Sequence, residues 1–204
     1  MPCSSRSLIA LLLLGVSLCA CDRQSGGDGQ DNAVTSGEVT SGEVQAVDKG
    51  EESKSYVVSR DKAGSPLPDF VFSDEMGKDV TLERFAGKPI LINLWATWCA
   101  PCVAEMPQLD RIAGAYAKDG LQVLTISQDS MGADKVLPFF NDKRFAHIKP
   151  WLDPDNQFGF HYATGLLPTS VLYDAQGKEV ARVSGALDWE SAEAEALIEE
   201  ATGA

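Results

Sequence analysis

The run Pro89 to Trp95, PILINLW, is almost continuously apolar, and Trp98-Cys99-Ala100-Pro101-Cys102 follows directly behind it. A strand without polar alternation must be covered on both faces, which is the pattern of a central strand in a layered sheet. Leu121 to Ile126, LQVLTI, repeats it. Between the two, Glu105 to Lys118 has helical spacing, with Leu109, Ile112, Ala113 and Tyr116 on one side and Gly120 to close it. Strand, helix, strand in that order calls for a crossover and hence for an α/β sandwich.

The flanking residues extend this pattern. Phe70-Val71-Phe72 reads as a short strand, Glu75 to Lys78 as a turn and Val80-Thr81-Leu82 as the return, with Phe85 covering the sheet. Ala133 to Asn141 reads as a helix containing Pro138, Ile148 to Leu152 as a short strand and Asn156 to Tyr162 as one or two helical turns. Thr169 to Tyr173 and Glu179 to Val183 pair across a Gln176-Gly177 turn. Asp188 is expected to cap a last helix through Glu200, with Trp189, Ala192 and Leu197 inward.

The first 63 residues have a different character. Arg6 followed by the apolar run Leu8 to Leu18 marks residues 1–21 as a secretory signal, too short to span a bilayer comfortably. Leu18-Cys19-Ala20-Cys21 resembles a bacterial lipobox, which implies a lipid on Cys21. Asp22 behind it resembles a signal to stay at the inner membrane. Residues 22–63 contain no Phe, Trp, Leu or Ile and carry the short repeat TSGEVTSGEV. Such a segment buries too little apolar surface to order itself and reads as a flexible tether reaching roughly 30–35 Å. Only Tyr56-Val57-Val58 could pair with a sheet edge. Residues 64–204 then form one domain. The net charge of −13 leaves no basic face for nucleic acid.

Of five cysteines, three fall in the first 21 residues, so the folded domain keeps one pair. A CxxC in an exported chain, beside a strand-helix-strand pattern, reads as a redox pair. Cys99 falls at a helix N-terminus, where free N–H groups and the dipole favour a thiolate. Cys102, one turn on, can attack Cys99 sulfur and close the ring. Pro101 lacks an N–H at a position where none is needed. Zinc would need two more ligands than this pair supplies, and His147 and His161 are distant. Val103 stands where covalent haem attachment needs His. No metal and no cofactor is expected.

These motifs, with Pro68-Asp69-Phe70, Gly87-Lys88-Pro89, Asn93-Leu94-Trp95-Ala96-Thr97, Glu105-Met106-Pro107 and Leu167-Pro168-Thr169-Ser170, resemble the TlpA/ResA group of membrane-anchored thiol-disulfide oxidoreductases. The resemblance implies a thioredoxin-like fold, a central mixed sheet flanked by helices with an N-terminal β-hairpin extension. It implies Cys99 as nucleophile, Cys102 as resolving thiol, Pro168 as a cis-proline facing the pair, and Leu167 presenting backbone to the substrate chain. Trp98, Ala100 and Pro101 would line the site. Glu105 would tune or shuttle cysteine protons; the alternative is a first-turn glutamate that only satisfies the helix end. Asn93 replaces the buried Asp of thioredoxin and cannot take a proton.

Implied partners are cysteine-containing exported proteins, including apocytochromes c, and a membrane electron donor of the DsbD/CcdA type. The implied location is the periplasmic face of the inner membrane. Rival readings are a disulfide oxidant or isomerase, and a non-enzymatic chaperone or copper-delivery protein, for which Met106 is the one nearby ligand. A peroxidase would need a further Cys outside the pair.

Overall fold

The computed structural model describes residues 55–204. The signal segment, Cys21 and the tether up to residue 54 lie outside the described residues. In chain order the elements are β1 Tyr56–Ser59, β2 Phe72–Ser73, β3 Asp79–Val80, a 3-10 turn Leu82–Phe85, β4 Ile90–Trp95, α1 Ala100–Ala115 and β5 Gln122–Ser127. Then follow α2 Ala133–Lys143, β6 Pro150–Leu152, α3 Gln157–Tyr162, β7 Thr169–Tyr173, β8 Glu179–Gly185 and α4 Ala192–Thr202. The strands form one mixed sheet in the order β1-β8-β7-β4-β5-β6-β2-β3. β4 runs parallel to β5 and antiparallel to β7, and β5 runs parallel to β6.

All six residues of β4 are buried, as its unbroken apolar character requires. Alternate side chains feed two cores. Leu91 and Trp95 join Met106 and Leu109 of α1, Val136 and Phe140 of α2, and Leu197 and Ile198 of α4. Ile90, Ile92 and Leu94 join Phe85, Trp151, and Phe158 and Tyr162 of α3. Asn93 lies in the same alternate set as Leu91 and Trp95, which turns it toward the α1 layer.

α1 begins at Ala100 with Cys99 as its N-cap, as expected of a CxxC that opens the helix, and Pro101 stands at a position needing no donor. Several boundaries differ from the sequence expectation. α1 ends at Ala115, so Gly120 (φ +84°) closes a following turn rather than the helix. Ser191, not Asp188, caps α4, its hydroxyl accepting from Ala194 N–H at 3.2 Å. Asp188 instead turns the preceding loop, accepting from Glu190 N–H and from the Gln108 amide. The first hairpin is shorter than expected: Phe72 pairs with Val80, while Val71 is exposed and Leu82 enters the 3-10 turn. The β2–β3 hairpin extends the main sheet through Ser73 against Leu152.

Order also begins ahead of residue 64. β1 pairs along β8 from Tyr56 against Gly185 to Ser59 against Arg182. Gly185 makes this possible. Its φ is +98°, and a Cβ there would stand 2.3 Å from the Ser55 carbonyl oxygen. Among the described residues no helix is long and apolar enough to cross a membrane.

Candidate active site

β4 ends at Trp95, and the chain turns through Ala96 and Thr97 into α1. Cys99 is the N-cap of that helix: its carbonyl accepts from Val103 N–H at 3.0 Å, and its sulfur from Cys102 N–H at 3.4 Å. A disulfide joins Cys99 to Cys102, with Cα atoms 5.3 Å apart. The donor on Cys99 Sγ and the open N-terminal turn are what stabilise negative charge on that sulfur when the bond opens. Cys99 is less exposed than a helix terminus suggests, at 5% against 0% for Cys102. The following Ala100 and Pro101 are exposed and Trp98 is 72% exposed, so the ring stands beside a sulfur set into the surface.

The disulfide borders a groove of about 740 Å³. Trp98, Cys99, Ala100 and Pro101 form one side; Asn156, Gly159, Phe160 and the segment Ala163 to Leu167 form the other. No ionisable side chain other than Cys99 lines it. The four expected contact residues, Trp98, Ala100, Pro101 and Leu167, therefore meet in one groove. The Leu167–Pro168 peptide bond is cis. Pro168 itself is buried, its carbonyl accepting from Gly185 N–H at 3.0 Å, and the groove is lined by Leu167 instead. Thr169 ties down the same turn, its hydroxyl reaching Leu166 O at 2.8 Å and Thr164 Oγ1 at 2.6 Å.

Glu105 lies one helical turn past Cys102 on the same face of α1. It is 4% exposed, and its Oε1 accepts from Asn93 Nδ2 at 2.6 Å. It sits in the second turn of the helix and points inward, so it is not a solvent-facing carboxylate serving the helix end. Burial pushes its carboxyl up to about 8, against the opposing pull of the Asn93 amide and the Trp189 indole N–H. Trp189 Nε1 and Glu105 Oε2 are both buried, and neither meets hydrogen-bond geometry. At neutral pH Glu105 is thus largely a neutral acid, with a proton to trade in the range where thiols work. The repulsion of a Cys102 thiolate that a charged Glu105 would exert applies only above that range.

Residues that the sequence reading passed over complete the site. Ser170 faces Asn93 across the β4–β7 pair and accepts from its amide at 3.0 Å. Asp129, in the loop after β5, accepts from Thr97 N–H at 2.9 Å, Thr97 Oγ1 at 2.7 Å and Ser127 Oγ at 2.8 Å. It is 3% exposed and straps the turn that carries Trp98 and Cys99 to the end of β5. An Asp two residues after an apolar strand, with a Thr just ahead of the CxxC, is the faint signal that could have marked it.

The comparisons with known proteins agree with this geometry. Residues 62–198 match the Redoxin family model. The thiol-disulfide oxidoreductase ResA of Geobacillus thermodenitrificans is 34% identical over 125 residues, covering 61% of this chain and 70% of that protein. A Chlorobium tepidum structure described as a DsbE-type thiol:disulfide interchange protein superposes with a TM-score of 0.62 at 27% identity, over 69% of this chain and 98% of that one. The exposed lipoprotein thioredoxin of Streptococcus pneumoniae superposes with a TM-score of 0.53 at 27% identity, over 65% of this chain and 99% of that one. The fold, the cysteine pair and these matches place the chain in the redoxin family, among the thioredoxin-fold, ResA- and DsbE-like thiol-disulfide oxidoreductases.

Proposed function

We propose that the protein is a reductant of disulfides in exported proteins, including apocytochromes c before haem attachment. The observation that carries the reading is the disulfide set beside an uncharged groove, with a buried acid of raised pKa one turn below it. In the reduced enzyme the Cys99 thiolate attacks one substrate sulfur. A mixed disulfide forms, and the other substrate sulfur leaves as a thiolate that takes up a proton. Cys102, losing its proton to water or to the ionised fraction of Glu105, then attacks Cys99 Sγ. The second substrate sulfur leaves as a thiolate that takes up a proton, so the two electrons lost by Cys99 and Cys102 on forming their disulfide end on the two substrate thiols. A membrane electron donor of the DsbD/CcdA type restores the dithiol. Leu167 offers backbone to the bound chain, and the cis Pro168 turn holds it in place.

Lipid on Cys21 would keep the 64–204 domain near that donor, at the periplasmic face of the inner membrane; likeness to an exposed lipoprotein thioredoxin supports the lipid attachment. The test is a Cys102→Ala variant expressed in cells. It should accumulate mixed disulfides through Cys99, and mass spectrometry of the adducts names the substrates. Adducts confined to Cys102 in a Cys99→Ala variant would overturn the assignment of roles. A reduction potential near −120 mV would make the protein an oxidant instead.

A further inference from the structure

We propose that Arg182, on β8 and outside the groove, is a specificity-determining positioning residue: it fixes α3, and α3 decides how tightly a polypeptide disulfide is held. This rests on the oxidoreductase reading above and names a residue for substrate recognition rather than for chemistry.

α3 supplies Gly159 and Phe160 to the far side of the groove, and Phe160 is 76% exposed. A ring so exposed contributes little to the core, while it adds apolar surface along the path of any chain lying over Cys99. Yet α3 has six residues, too few to hold a helical position by itself. The residues at both ends, Asn156 at φ +56° and Ala163 at φ +52°, adopt left-handed conformations, which Ala in particular avoids. Something outside the helix must fix it.

Two charged side chains do so, one buried and one partly buried. At the N-terminal end, Asp153 is 1% exposed and accepts from Gln157 N–H at 3.1 Å and Phe158 N–H at 3.0 Å. At the C-terminal end, Arg182 Nη1 donates to the Tyr162 carbonyl at 3.0 Å, and the guanidinium lies 4.8 Å over the Tyr162 ring. The rest of the fork grips Glu179 through both carboxylate oxygens, so the guanidinium cannot swing. Tyr162 OH in turn meets Tyr173 OH at 3.0 Å. Arg182 therefore transmits the position of the sheet to the last carbonyl of the groove helix. A lysine has no planar fork to hold both partners at once. Phe158 and Tyr162 also pack in the core, so loss of Arg182 should let α3 shift without releasing it.

The experiment compares two substrates on the full chain: insulin, a polypeptide disulfide, with dithiothreitol as reductant, and 5,5′-dithiobis(2-nitrobenzoate), a disulfide with no polypeptide backbone, mixed with pre-reduced protein freed of dithiothreitol. Removing Arg182 alone strands the buried Glu179, so the main variant is Glu179→Gln with Arg182→Met. It should raise KM for insulin about tenfold, the scale of one lost apolar side-chain contact, and leave kcat and the small-disulfide rate within about twofold. Phe160→Ala should give the same signature, and combining the changes should add little because both act through α3. Arg182→Lys should fail to restore the parent KM.

Equal losses on both substrates would overturn the proposal, since Arg182 would then serve only the fold. So would an insulin KM unchanged in the double variant but raised by Phe160→Ala. If the unaltered enzyme reacted with neither disulfide, the reading of the site itself would fall, and the proposal with it.

Discussion

The two sides of the groove are built on opposite plans. The Cys99 side is the head of α1, a 16-residue helix that follows the fully buried β4. Its reactive atom is placed by regular backbone: an N-cap, an open first turn and a strand in the middle of the sheet. The 156–167 side has six helical residues, three left-handed residues and a cis bond at its end, and it is held by side chains that belong to other elements. Reactivity here rests chiefly on main-chain geometry, with the buried side chains Asp129 and Glu105 in support. Recognition comes from Asp153, Arg182 and Thr169, any one of which a single substitution removes. The contrast implies that the first side should be shared widely among proteins of this fold and that the second is where one of them departs from another.

The strongest test of that division is Cys99→Ser. Turnover of protein and small disulfides alike should fall about 10³-fold or more, since the attacking group is lost. Residual activity within tenfold of the parent, measured by insulin reduction, would mean that the two sides do not divide the work in this way.

Glu105→Gln comes next. General acid–base groups contribute about 10²–10⁴-fold, so the exchange rate should drop by about 100-fold and its pH dependence near 8 should flatten. Stability should move the other way. The folded-state carboxyl titrates at about 8 against 4.5 in the reference state, so the folded protein keeps this proton where the unfolded chain has lost it. Stability is full below pH 4.5 and declines as pH rises toward 8, by on the order of a few kcal/mol. Glu105→Gln keeps an acceptor for Asn93 and removes the slope. Urea midpoints at pH 5 and pH 8 check this, and a parent protein equally stable at both would show that Glu105 is not buried as described.

The smallest expected effect sharpens the comparison within the first side. Asp129→Ala strands the Thr97 N–H and should cost about 1–3 kcal/mol. For a domain of this size that is roughly 2–4 °C in Tm per kcal/mol. Because Thr97 leads into Trp98 and Cys99, the small-disulfide rate should fall as well, whereas Phe160→Ala leaves it alone. An unchanged rate in Asp129→Ala would show that backbone alone holds the Cys99 side.

What the sequence made legible follows the same division. The strand Thr169–Tyr173 stands where the apolar pattern placed it, and the CxxC pair was marked by local residue types, whereas Glu105 and the cis Pro168 were expected only through the resemblance to the TlpA/ResA group. Asp129 was not, because its partner Thr97 lies 32 residues away and no local pattern joins them. Arg182 was hidden for the same reason: its target, Tyr162 O, is a backbone atom 20 residues distant. Asp188 and Ser191 are both capping residue types three positions apart, and packing of the loop against Gln108 decided between them. The end of α1 was the part misplaced: it stops at Ala115, where Lys118 was expected.

The pairing of β1 with β8 has a consequence for orientation. β4 runs toward Cys99, β7 runs back, β8 runs toward that end again, and β1 runs back from it, starting at Tyr56 beside Gly185. The polypeptide thus joins the sheet at the end where the disulfide sits, only three strands across. A leash cut to a few residues ahead of Tyr56 would act as a swivel mounted on the reactive end, keeping Cys99 turned toward the point of attachment, while a long leash frees the domain to face outward. With the proposed lipid on Cys21 in place, leash length, a property with no bearing on the fold, would decide which partners the sulfur can meet.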